Sequence, residues 1–212
     1  MSTVAVEGVM TVAAPSFEPW VDFDPLVEVA GAWTPALADK YLPIPGAPPV
    51  KYECQDGKLI LSPYEGSANT LAAYRLVSLF ESPARAIGAR AYPTLNVQLA
   101  VNRWIQPDFA ILKEPARGEV WIPATKALLV GECVSPSSRR TDRIDKPAMC
   151  AAAGIDYFMQ VEVSYAKRHA EIVLLRLDGD RYAVHAKALA GSTFETEVPF
   201  PLSLDPADLL ED

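Results

Sequence analysis

Histidine and cysteine are scarce in this chain. Among 212 residues there are two of the first, His169 and His185, and three of the second, Cys54, Cys133 and Cys150. The cysteines are odd in number and lack CxxC spacing, which excludes a disulfide framework and a zinc site and favours a reducing cytoplasm. The two histidines are too few for a His-rich metal centre. No apolar run approaches the roughly 18 residues a membrane span needs, so no membrane association is expected. The opening "MSTVAVEGVMTVAAPSFEPW" has no basic head before its weakly apolar stretch and does not read as a signal peptide.

Positive charge is also in deficit. The net charge is −8, with 27 acidic and 19 basic residues. The deficit sits at the ends. Residues 1–50 carry six acidic residues against Lys40, and residues 195–212 carry six and no basic one. Residues 51–194 keep 15 acidic and 18 basic residues, a net of +3. A generic nucleic-acid-binding surface is disfavoured overall, while the middle of the chain stays slightly basic.

Apolar residues make up 50% of the chain, enough for a sizeable core. Residues 1–31 show no firm periodicity and read as an N-terminal arm, poorly ordered or packed across the domain or a partner. Residues 32–212 read as a single α/β domain of mixed sheet and flanking helices. A short helix starts at Thr34 with Pro35 in its first turn. "VKYECQDGKLILSP" is a hairpin about Asp56-Gly57. "GSANTLAAYRLVSLFESPARAIG" has helical spacing with Leu71, Tyr74, Leu76, Val77 and Phe80 on the apolar face, and Gly88 as terminator. "RAYPTLNVQLA", "DFAILK" and "ALLVGECV" read as strands, the last apolar on both faces as a central strand should be. "TDRIDKPAMCAAAGI" reads as a helix capped by Thr141, with Pro147 in conflict with an ordinary interior. Three further strands and a last helical turn at "PADLLED" complete the chain.

Carboxylates inside apolar strands carry the chemical signal, because an unpaired buried carboxylate costs several kcal/mol. Asp108 follows Pro107 and opens the strand "DFAILK"; Glu132 lies near the far end of "ALLVGECV". If these strands are antiparallel neighbours, about 4.8 Å apart, the two carboxylates lie side by side. They then repel unless a cation stands between them, and a hard ion such as Mg²⁺ suits oxygen ligands. The plain alternative is a turn-capping Asp108 and an arginine-paired Glu132. Glu53, between Tyr52 and Cys54 in the hairpin, is either a third such acid or an exposed strand residue.

These segments, in this order, resemble the Uma-type restriction endonuclease family of the PD-(D/E)xK nuclease superfamily. The resemblance rests on "KYECQDGKLILSP", "QPDFAIL" and "VGECVSPSSRRTDRIDKPAMCAAAGIDYFMQV" and covers about residues 32–212. It implies a restriction-endonuclease-like fold and a Mg²⁺-dependent (Mn²⁺ substituting) cut of DNA phosphodiester bonds by activated water. It implies Asp108 as the aspartate of the PD element, Glu132 as the second acid, and Glu53, Asp108 and Glu132 as metal ligands. The superfamily's lysine two residues past the second acid is replaced by Val134, so its part passes to Lys146 or is missing. A histidine common near the first long helix is Asn69, and Cys150 stands where tyrosine is common. Related nucleases are often homodimers.

Arg139, Arg140, Arg143 and Lys146 follow the second acid closely. The arginines are candidate phosphate contacts, or partners of Asp142 and Asp145 at helical spacing. Lys146 is a candidate catalytic cation, or the i,i+4 partner of Asp142. A different class of function stays open beside the nuclease: a binding or assembly module that keeps the fold without the chemistry.

Overall fold

The computed structural model describes residues 23–210, so the expectation for the N-terminal arm falls largely outside the described residues. Two short helices come first. In α1 (Pro25–Glu28) the Asp24 carboxylate accepts from the Leu26 N–H, and in α2 (Pro35–Tyr41) the Thr34 hydroxyl accepts from the Leu37 N–H at 3.4 Å. Each helix has proline in its first turn, where its missing N–H costs nothing. The hairpin β1 (Val50–Gln55) and β2 (Lys58–Pro63) closes on Asp56 and Gly57, with φ of 52° and 79°. Paired positive φ makes a primed turn, which matches strand twist.

The long helix α3 (Ser67–Ala86) follows, and Gly88 just beyond it takes φ +82°. Its buried face is Asn69, Ala72, Ala73, Leu76, Phe80 and Ala84. Tyr74, expected on that face, is 68% exposed. Small alanines let the helix sit close to the sheet, and the apolar stripe turns towards them.

The expected strand "RAYPTLNVQLA" is two strands in different sheets: β3 (Arg90–Pro93) and β4 (Asn96–Ala100). Then come β5 (Arg103–Ile105), β6 (Phe109–Leu112), β7 (Trp121–Pro123) and β8 (Ala127–Cys133). A π-helical turn at Thr141–Asp145 leads into α4 (Lys146–Ala152). The chain ends with β9 (Tyr157–Ser164), β10 (His169–Asp178), β11 (Arg181–Leu189), β12 (Phe194–Thr196), β13 (Leu202–Leu204) and a 3₁₀ turn at Pro206–Leu209.

The strands form a mixed six-stranded sheet, β11-β10-β9-β8-β6-β3, a five-stranded sheet, β2-β1-β5-β4-β7, and the ribbon β12-β13. Among the described residues, only β8–β9 and β4–β7 run parallel. β8 is central, as its two-faced apolar run requires. Alternation along it sends Leu129 and Cys133 to a core with Phe80, Phe109 and Met159 under α3. It sends Val130 to a second core with Ala110, Phe158, Cys150 and the five-stranded sheet's Val97 and Ile105. On its outer face the five-stranded sheet packs Cys54 and Trp104 against Trp33 and Ala38 near α2.

The chain crosses between the sheets at Gln106-Pro107-Asp108, between β5 and β6. The second core therefore lies between the two sheets, and the polar residues described next occupy its open end.

Candidate active site

Period-two alternation decides which face the acids take. Phe109 and Cys133 belong to the α3 core, so their neighbours Asp108 and Glu132 turn to the opposite face, towards α4 and the five-stranded sheet. The antiparallel register pairs Phe109 with Gly131, which brings Asp108 level with Glu132. Gly131 is required there: a Cβ would fall 2.0 Å from the Phe109 ring. Asp108 is held further by its Oδ2, which accepts from the Cys133 N–H at 2.7 Å.

On the facing sheet, Lys51 and Glu53 lie two residues apart on β1 and so project to the same side. The Lys51 ammonium donates to Asp108 Oδ1 at 2.5 Å and lies 3.8 Å from Glu65. Glu53 Oε1 accepts from the Gln106 N–H at 2.8 Å and lies 3.0 Å from Lys146 Nζ. Lys146 also donates to Glu132 Oε1 at 2.8 Å and stands 3.5 Å from Asp142. An ammonium has three donors, and three carboxylates surround this one.

The helix that delivers Lys146 is shaped by Pro147. A proline there cannot donate to the Arg143 carbonyl. The chain answers with the π-helical turn, and the Gln160 amide on β9 donates to the carbonyls of Asp142 (3.2 Å) and Arg143 (3.3 Å). The π turn stands where an ordinary helix capped by Thr141 was expected, and the Ser135 and Ser138 side chains bond across the turn before it. The result presents Asp142 and Lys146 together to the acids.

Lys51, Glu53, Asp108, Glu132, Asp142 and Lys146 are all buried, and Glu65 is partly so. All but Asp108 line a cleft of about 280 Å³, and Asp108 is joined to it through its bond to Lys51. If all were ionised, the five carboxylates would outnumber the two ammonium groups by three negative charges. Burial pushes the Glu132 carboxyl well above its usual range; Lys146 opposes this, while Asp108, Asp142 and Glu53 add to it. Burial also raises Asp142 and Glu65. Lys146 is pushed up by Glu132, Glu53 and Asp142 against its own burial.

Among the described residues, no three His, Cys, Asp or Glu side chains stand ready to share one ion. The two ammonium groups occupy the space between the acids. In donor type and charge the residues nevertheless fit a hard divalent cation: every donor is oxygen, and the missing charge is positive.

The arginines behave differently from the lysines. Arg139 pairs with Glu162 at 2.7 Å, and Arg143 pairs with Glu162 and, at 3.5 Å, Glu171, all on β9 and β10. Arg140 is exposed, 3.9 Å from Asp145. Asn69 anchors α3 to the end of β8, donating to Glu65 at 2.8 Å and to the Cys133 carbonyl at 2.9 Å. Val134 is buried and its N–H donates to Val161, so that position adds no charge. Cys150 packs in the second core. Lys51 and Glu65 escaped the sequence reading, although the K-x-E spacing of β1 places Lys51 beside Glu53.

The family's sequence profile, described as "Putative restriction endonuclease", matches residues 38–207. The chain belongs to the Uma2 family. Its fold is similar to the crystal structure of a putative nuclease belonging to DUF820 from Anabaena variabilis ATCC 29413. The TM-score is 0.56 at 19% identity, over 81% of this chain and 95% of that one. No curated protein matches. The mixed α/β architecture is thus shared with that structure. No described helix of this Uma2 chain is long and apolar enough to cross a membrane.

Proposed function

We propose that this Uma2 chain is a divalent-metal-dependent endonuclease that hydrolyses DNA phosphodiester bonds at the cleft between its two sheets. The observation that carries the reading is the excess of carboxylates: five, each from a different chain segment, gathered around two lysines. Burying unbalanced charge costs several kcal/mol, so a fold that maintains it has a use for a cation there.

Glu53, Asp108 and Glu132 would hold Mg²⁺, or Mn²⁺ in its place. Bound there, the ion would polarise a phosphoryl oxygen and lower the pKa of an attacking water. The remaining work falls to the chain. The Gln106 and Cys133 N–H groups fix the orientation of Glu53 and Asp108. Lys146 holds Glu53 and Glu132 in register and would supply positive charge near the charge that develops on the phosphate. Lys51 holds Asp108 and is the second. Arg140 is free to meet the strand from outside; Arg139 and Arg143 would first have to release Glu162. Cutting both strands of a duplex would take a homodimer, whereas cutting one strand takes one copy.

The test is Asp108→Asn in a Mg²⁺- or Mn²⁺-dependent nicking assay on plasmid and on single strands. Loss of cleavage with an unchanged circular dichroism spectrum is expected; retained cleavage refutes the assignment. The other reading, a binding module without chemistry, is favoured by the lysines already occupying the space between the acids. It predicts no cleavage by the unmodified chain with either ion.

A further inference from the structure

A second cleft, of about 480 Å³, opens on the other side of Lys51. Lys51 and Glu65 line both clefts, and Asp108 lines the second, so the two adjoin at the Lys51–Asp108 pair. The walls differ. Acids, lysines and serines dominate the first cleft, beside Ile60, Trp104, Ile105 and Met149. In the second, Tyr64, Tyr74, Ala73, Val77 and Pro93 form an apolar wall, with Asn69, Ser78 and two threonines beside it. Tyr64 and Tyr74 are 62% and 68% exposed. Tyr74 sits on the first half of α3, a helix whose opposite face is fully packed, so its ring serves no core.

We propose that this cleft takes the bases of an unpaired DNA strand flanking the scissile phosphate, stacked on Tyr64 and Tyr74. The proposal deepens, and rests on, the nuclease reading of the adjoining carboxylates. Aromatic rings hold single strands by stacking on base faces, and that contact tolerates any base. Inside a duplex those faces are covered by neighbouring bases. Duplex binding draws nearly all its affinity from basic side chains on phosphates, whereas a single strand also gains from stacking on its exposed base faces. Exposed basic side chains clear of close acids are few at the site: Lys51 and Lys146 are buried against acids, Arg139 and Arg143 are bonded to Glu162, and Arg140 alone of these is exposed with its nearest acid as far as 3.9 Å. The surface next to the cleft is built for stacking, with little left for phosphate neutralisation.

The test is fluorescence anisotropy at low salt with Ca²⁺ in place of Mg²⁺, using labelled oligothymidylate and a duplex of the same length. The unmodified chain should bind the oligothymidylate more tightly by about fivefold or more. Tyr64→Ala and Tyr74→Ala, both at exposed positions, should each weaken single-strand binding by about fivefold or more while leaving the melting temperature unchanged. Duplex binding as tight as single-strand binding, retention of neither, or unchanged binding in both variants overturns the proposal. Asp108→Asn separates the two readings. If it still cleaves while binding depends on the tyrosines, the carboxylate assignment fails and the stacking cleft stands. If it loses cleavage while binding ignores the tyrosines, the reverse holds.

Discussion

Lys146 shows what one residue does in this molecule. Its ammonium is buried and spends its donors on Glu53, Glu132 and Asp142. Lys146→Met would leave three buried carboxylates facing one another. Removing one partner of a buried ion pair costs about 3–5 kcal/mol. A loss of that size is expected in urea unfolding with chelator present, and added Mn²⁺ should restore part of it by supplying the missing charge. Glu132 makes a separate prediction. Its folded-state carboxyl lies above the unfolded value, which is about 4.3 for glutamate. The stability it contributes is fully present below that value and is lost as pH rises through the raised folded value. In chelator, stability should therefore fall as pH climbs above the ordinary carboxylate range, and Glu132→Gln should flatten that fall. An identical slope in the variant would show that burial of Glu132 is not its source.

At the scale of elements, two local irregularities aim the site. One is the π-helical turn before Pro147, sustained by Gln160. Gln160→Ala strips the Asp142 and Arg143 carbonyls of their donor and should cost about 1–2 kcal/mol, read as a lower urea midpoint. The other is Gly131 in the middle of β8. Gly131→Ala forces the buried Phe109 ring aside, and overpacking of this kind costs about 1–3 kcal/mol. Because Asp108 precedes Phe109 directly, this change should also impair cleavage, whereas an alanine at the open Gly66 should not. Much at this scale was legible in advance. Asp-Gly fixed the hairpin, Pro107 marked where β6 begins, and the two-faced apolar run of β8 placed it centrally. The division of "RAYPTLNVQLA" between two sheets was not legible, since both halves have equal strand character and only their partners differ. Nor was the exposure of Tyr74: Leu71, Leu76 and Val77 suggested a broader apolar face than the alanine-rich stripe that packs.

For the whole molecule, the electrostatic balance is the property that matters. The five-stranded sheet brings Lys51 and Glu53 to the six-stranded sheet's Asp108 and Glu132, and the helical segment adds Asp142 and Lys146. A cation bound only by this assembled set must raise the melting temperature, because the unfolded chain has no such site; at 100 times Kd the gain is about 2.7 kcal/mol. Titration with Mn²⁺ or Mg²⁺ should show a saturating rise, abolished in Glu53→Gln/Asp108→Asn. A flat response in the unmodified chain would favour the binding-module reading.

By itself the sequence determined most strands of the six-stranded sheet, the hairpin, the family and the identity of Asp108 and Glu132 as acids in apolar surroundings, because each depends on residues adjacent along the chain; the short strands β5, β7, β12 and β13 and the burial of Glu53 were decided by their partners. Tertiary structure alone decided how the charges are shared. Lys51 takes Asp108, Lys146 takes three acids, and Glu162 takes two of the arginines expected to face DNA. Ion pairing is a competition among groups far apart in sequence, settled by which strands lie side by side and which faces they turn to each other.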